Sequence, residues 1–308
     1  MPDLDFQGVL PATITPFTAD GELDVEGLRS YMRWMKSVPG VTGVVVNGHA
    51  GEGTSLTQAE RLEVIRRTKE VLGDGLPVIA GVGGDGTRVV AEEAAAAADA
   101  GADALLVFPA PSWLRFGYQE GAPHERYRSV HQASGLPTIL FQFPIETHAS
   151  YPLQIVLELC DVEGVVAIKE GGRNMIRWDT DVPVIRRHFP HIPILTCQDE
   201  FLLHSMWESD GALVGYGALV PELMVELLAR AKAHDYDAAK AVYDRMAPLT
   251  KVVYHRASHI ESTPAMKIGL VLRGLIESAT VRAPLMPLDD LAVQEIGAAL
   301  KHAGIETA

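Results

Sequence analysis

The chain has 308 residues, 47% apolar and 21% charged, which is enough to bury a large core and too apolar for a disordered chain. Its 40 acidic and 26 basic side chains leave a formal charge of −14, which repels phosphate backbones and anionic lipid, so nucleic acid and membrane partners are set aside. The two cysteines, Cys160 and Cys197, cannot form a disulfide framework and lack the paired spacing of a zinc site, so a reducing compartment is expected.

From the N-terminus, Met1 to Asp5 are acidic, and no apolar stretch suited to a signal peptide or a membrane span follows; a cytoplasmic location is expected. Short runs rich in Val, Ile and Leu then recur at 8–13, 43–47, 77–81, 104–108, 138–141, 165–169, 194–197 and 212–215. Their unbroken apolar character fits strands covered on both faces, and an amphipathic stretch follows each one. Thr57 with Glu60 three residues on reads as a helical capping box, and 91–100 is an alanine-rich helical run. After the eighth run come helical segments at 236–254, 264–276 and 289–303. The pattern predicts an α/β fold, a (β/α)8 TIM barrel over 1–232 with a C-terminal helical extension of the same domain over 233–308. An open doubly wound sheet is the competing architecture, but no Gly-x-Gly-x-x-Gly follows the first strand, and Gly81-Val82-Gly83-Gly84 does not supply it. The irregular loops at 109–113 and 143–148 follow strands, which places them on the face where barrels carry chemistry.

Lys169 ends the apolar run Gly164-Val165-Val166-Ala167-Ile168-Lys169-Glu170. Burial inside a barrel disfavours an ammonium and leaves a fraction of it as nucleophilic amine, the requirement for Schiff-base chemistry. The plain alternative is a lysine that ends a strand and pairs with Glu170. Glu52 has no histidine at metal-ligand spacing, so neither a metal nor another cofactor is expected.

Several strings occur together and in order: Gly8-Val9-Leu10-Pro11-Ala12-Thr13-Ile14-Thr15-Pro16-Phe17, Gly48-His49-Ala50-Gly51-Glu52, Leu56-Thr57-Gln58-Ala59-Glu60-Arg61, Ala167-Ile168-Lys169-Glu170, and Pro264 with Lys267. Over its whole length the chain resembles the dihydrodipicolinate synthase / N-acetylneuraminate lyase family. The resemblance implies a barrel in which Lys169 forms a carbinolamine and then an imine with the ketone of a 2-oxo acid. It implies that backbone N–H groups of the loop from Gly48 through Ala50 to Gly51 hold the acid's carboxylate, in keeping with a glycine-flanked turn. Phe141, Gln142, Leu213, Trp113 and Arg173 are the further expected substrate contacts, and a homotetramer or homodimer is the expected assembly.

The departures from the family pattern bear on the reaction. His49 and Phe141 stand where typical members carry a threonine or serine and a tyrosine that relay protons. Pro109-Ala110-Pro111 replaces a Pro-Tyr-Tyr segment, and Glu146 aligns with a basic residue of the synthases. Dihydrodipicolinate synthesis itself is therefore not expected. Gln142 resembles the glutamine of a dehydratase branch acting on deoxy sugar acids, so dehydratase or deaminase chemistry competes with aldol cleavage or addition. His49 is the preferred proton carrier, with His148 and Tyr216 as other candidates near strand ends. A non-catalytic relative that binds a small acid is the alternative outside enzyme chemistry.

Overall fold

A computed structural model describes residues 4–308; Met1, Pro2 and Asp3, part of the acidic N-terminal stretch, lie outside the described residues. Seven strands pair in parallel in chain order: β1 (Val44–Val46), β2 (Val78–Val82), β3 (Ala104–Val107), β4 (Thr138–Gln142), β5 (Val165–Glu170), β6 (Ile194–Thr196) and β7 (Gly211–Ala212). Segment 8–13, expected as the first strand, closes the sheet into a barrel through isolated bridges. Val9 pairs in parallel with both Val41 and Ala212. The Leu10 N–H donates to Ala212 O at 2.7 Å, and the Val45 N–H donates to Pro11 O at 2.9 Å. Pro11 has no N–H to give, so the ladder here is broken into bridges.

Helices α1 (Val25–Ser37), α2 (Gln58–Leu72), α3 (Thr87–Asp99), α4 (Trp113–Phe116), α5 (Ala122–Ser134), α6 (Leu153–Cys160), α7 (Met175–His188), α8 (Leu202–Glu208) and α9 (Pro221–Lys232) fall between and after the strands. Then come α10 (Tyr236–Tyr254), α11 (Ser262–Leu272) and α12 (Asp290–His302). The helix expected at 264–276 stops earlier because Gly274 takes a left-handed φ of 69°. The one expected at 289–303 begins one residue later, since Asp289 is its cap and accepts from the Ala292 N–H at 2.9 Å. None of the helices among the described residues is long and apolar enough to cross a membrane.

Strand register fixes the direction of the side chains that matter. Phe141 is level with Lys169 and Gln142 with Glu170 across β4 and β5. Successive residues of a strand face opposite sides. Lys169 and Phe141 therefore share the barrel interior, while Glu170 and Gln142 face the helical layer.

The capping box at α2 is present: Thr57 Oγ1 accepts from the Glu60 N–H at 3.3 Å, and Glu60 Oε2 accepts from the Thr57 N–H at 2.8 Å. Thr57→Ala is expected to lower stability by about 1 kcal/mol in urea unfolding. An unchanged midpoint would show that the cap contributes nothing.

Candidate active site

Lys169 is buried, 6% exposed, and its Nζ stands 4.0 Å from the centroid of the Phe141 ring. The ring face offers a weak attraction to a cation, and no carboxylate among the described residues pairs with this amine. Glu170, the partner considered from sequence, is turned to the other side of β5. Its Oε1 accepts from the Gly172 N–H at 3.0 Å and its Oε2 from the Gln198 amide. Burial first of all pushes the Glu170 carboxyl up, to about 7, with the two hydrogen bonds pulling the other way. The Lys169–Glu170 ion pair does not form.

An aromatic enclosure surrounds the amine's side of the mouth. His49 lies 4.8 Å from Phe108, 5.7 Å from Phe143 and 6.2 Å from Phe141, ring centroid to ring centroid, and Phe141 packs edge-on against Phe143 at 4.6 Å. The imidazole opens to solvent along the mouth while protein crowds its other sides. That crowding, followed by the positive charges of Lys169, Arg173 and His259, pushes His49 down to about 4. At neutral pH the ring is uncharged.

The loop that follows β1 brings backbone donors to the same place. Asn47 and Glu52 bracket it with left-handed φ values of 58° and 52°. It folds back on itself as the Glu52 N–H donates to His49 O and the Gly53 N–H to Gly48 O, both at 3.0 Å. The N–H groups of His49, Ala50 and Gly51 donate to no described residue. Thr15 Oγ1 donates to Gly51 O at 2.7 Å, which fixes the carbonyl side of the loop. A Cβ at position 51 would stand 2.9 Å from Thr13 O, so close approach requires glycine there, whereas nothing lies within 4 Å of a Cβ built on Gly48. Consecutive backbone N–H groups without a partner among the described residues make a cradle of the general kind in which backbone donors bind anions.

The dihydrodipicolinate synthetase family model matches residues 5–303. The chain belongs to this family. A 4-hydroxy-tetrahydrodipicolinate synthase of Polynucleobacter asymbioticus is 31% identical over 311 residues, covering 97% of this chain and 95% of that one. The enzyme of the same name from Methanosarcina barkeri is 29% identical, with 97% and 99% covered. Among solved structures, a chloride-inhibited dihydrodipicolinate synthase of Acinetobacter baumannii complexed with pyruvate superposes with a TM-score of 0.86 at 28% identity, covering 98% of this chain and all of that one. YagE, an Escherichia coli prophage protein of the dihydrodipicolinic acid synthase family in complex with pyruvate, gives 0.88 at 25% identity, with 98% and 99% covered.

Other positions singled out in this family member are not all gathered at the amine. Gln142 faces outward: its amide donates to Tyr151 O at 2.8 Å and Ser150 Oγ at 3.2 Å, and its Oε1 accepts from the Tyr151 N–H. Trp113 packs on Tyr118 at 5.4 Å and beneath the Arg126 guanidinium. Arg173 stands at the rim, bound to Glu200 Oε1 at 2.6 Å and to His259 Nδ1 at 3.1 Å. Leu213 is fully buried, and its N–H donates to Thr196 O. Tyr216 turns its hydroxyl to Met246 O and Thr250 beneath α10, which removes it from proton transfer. His148 and Glu146 are exposed on the loop after β4.

Two braces escaped the sequence. Arg126, fully buried on α5, donates to Phe108 O and Gly84 O at 2.8 Å each and so ties the ends of β2 and β3. The Tyr127 hydroxyl donates to Val107 O and accepts from the Phe141 N–H, both at 3.2 Å, locking the backbone under the ring that faces Lys169. Only the polar residues of a mostly amphipathic helix pointed to them, and that signal is common to surface helices.

The depressed His49 pKa has a definite sign. The unfolded chain takes up this proton near 6.5 and the folded one near 4, so the stabilising contribution is full above about 6.5 and is lost as pH falls towards 4. An NMR titration is expected to show the His49 ring proton shifts flat from pH 8 to 6 with a midpoint about 4. A midpoint near 6.5 would contradict the crowded, electropositive setting.

Proposed function

We propose that this protein is a lyase that forms an imine between Lys169 and a 2-oxo acid, without metal or other cofactor. The observation that carries the proposal is a buried amine with no anionic partner among the described residues, next to a loop of N–H groups likewise unpaired among them. The amine adds to the ketone carbon, and loss of water from the carbinolamine gives a protonated imine. That imine accepts the electron pair released when the bond beta to it breaks, giving an enamine. Protonation of the enamine and hydrolysis then return the free lysine. His49, Ala50 and Gly51 hold the carboxylate through their N–H groups, and the neutral His49 ring, directly or through water, moves the protons that the absent hydroxyls cannot. Phe141 serves as a wall of the site, with Leu213 and Arg173 at greater remove.

Carbon–carbon bond chemistry with pyruvate as the keto component is the form the comparisons favour. Relatives of similar length are named 4-hydroxy-tetrahydrodipicolinate synthase, and two solved family structures carry pyruvate. The elimination reading drew on the missing tyrosine at Phe141 and on Gln142, and the amide of Gln142 is spent on Ser150 and Tyr151 instead of the site. A non-catalytic acid-binding role has the lost tyrosine hydroxyl in its favour and the unpaired Lys169 against it. Assembly as a homotetramer or homodimer, on the family resemblance, and a cytoplasmic location, on the composition, complete the proposal.

Borohydride added with pyruvate is expected to leave a reduced adduct on Lys169 and on no other lysine, and Lys169→Ala is expected to lower turnover by several orders of magnitude. A screen of 2-oxo acids that never modified Lys169 would sink the imine. For a longer 2-oxo acid that is turned over, mass spectrometry should find two carbon fragments; loss of water alone would return the chemistry to elimination.

A further inference from the structure

Outside the mouth, the described residues hold one fully buried ion pair, and it ends at the cradle loop. Lys267 on α11 places Nζ 2.5 Å from Glu52 Oε1, and both side chains are completely shielded from solvent. The same Nζ donates to Thr280 O at 2.8 Å and stands 4.1 Å from the centroid of the Phe17 ring. The second carboxylate oxygen of Glu52 accepts from the Arg282 N–H at 2.8 Å. Arg282 then reaches Glu60 Oε1 at 2.6 Å and Gly21 O at 2.8 Å, which fastens the start of α2 to the same segment. Burial pushes Lys267 down, to about 8, against the pull of Glu52.

Glu52 is the residue that closes the loop, and it does so with a left-handed φ of 52°. Such a backbone persists in a non-glycine residue only where the surroundings hold it. Here its hold is the side chain, anchored at both oxygens by the segment that follows the barrel. A shift of this carboxylate would move the Glu52 N–H, whose bond to His49 O sets the turn presenting the unpaired N–H groups.

We propose that Lys267 and Glu52 are positioning residues for the carboxylate cradle, so that the C-terminal extension completes substrate recognition by a buried clamp without touching substrate. The proposal rests on the carboxylate-binding role given above to the loop. It separates the extension's part in binding from the chemistry of Lys169, because the clamp acts on the acid group and not on the ketone.

The test compares pyruvate with hydroxyacetone, a ketone of similar size that lacks the carboxylate, by the concentration dependence of borohydride trapping on Lys169. The double variant Glu52→Gln with Lys267→Met removes both charges and leaves neither unpaired; Glu52→Asp keeps the charge and shortens its reach, and covers a double variant that does not fold. In a folded variant the pyruvate concentration for half-maximal trapping is expected to rise roughly tenfold or more, with hydroxyacetone unaffected. A folded variant that traps pyruvate as the unaltered protein does, or loses both ketones equally, overturns the clamp. No adduct on Lys169 in the unaltered protein with either ketone overturns the imine reading and the clamp together, a different result from a variant that binds pyruvate normally.

Discussion

The two-residue alternation of β5 decides what this barrel can do. With Lys169 inward and Glu170 outward, a basic and an acidic side chain that are neighbours in sequence are kept on opposite sides of a sheet. The separation denies the amine a counter-ion and leaves it only the face of Phe141. A cation–ring contact is worth about 0.5–2 kcal/mol, well short of what isolating a charge from water costs. Stability alone gives this arrangement no support, whereas covalent chemistry at a ketone needs an amine that no carboxylate has claimed.

The rest of the mouth follows from that placement. Arg126 and Tyr127 brace the strand ends beside Phe141, so the ring beneath the amine sits on a fixed backbone. Burial first of all, and then the positive charges of Lys169 and Arg173, keep His49 neutral at the mouth. A neutral imidazole can accept a proton where a threonine hydroxyl would only pass one along, and the proton route proposed for His49 rests on that difference. The unpaired N–H groups of the loop after β1 add further donors to the same electropositive mouth.

Much of this was legible in the sequence because it rests on local pattern. Continuous Val, Ile and Leu runs marked the barrel strands, since parallel strands covered on both faces leave no polar alternation to confuse them. The 236–254 helix has the bounds its periodicity suggested, and Thr57 with Glu60 forms the capping box that their spacing implied. Position 8–13 was recognisable as barrel-forming, but its division into bridges depends on Val9 meeting neighbours from both ends of the sheet and on Pro11 lacking an N–H for the β1 side.

What stayed hidden depends on facing and distance. Gln142 follows Phe141 directly, and the period of two that sends one inward sends the other outward; family likeness at that position could not show which side faced substrate. Trp113 opens the short helix α4 and packs on Tyr118, a contact that no spacing rule gives. The Glu52–Lys267 pair joins residues far apart in sequence, each part of a recognisable string that says nothing of the other. A crystal structure of the protein soaked in pyruvate measures the central claim most directly: it should show continuous density from Lys169 Nζ to the keto carbon, with the carboxylate on the N–H groups of residues 49–51. Pyruvate bound elsewhere, or an amine swung into an ion pair with an empty loop beside it, would contradict the account.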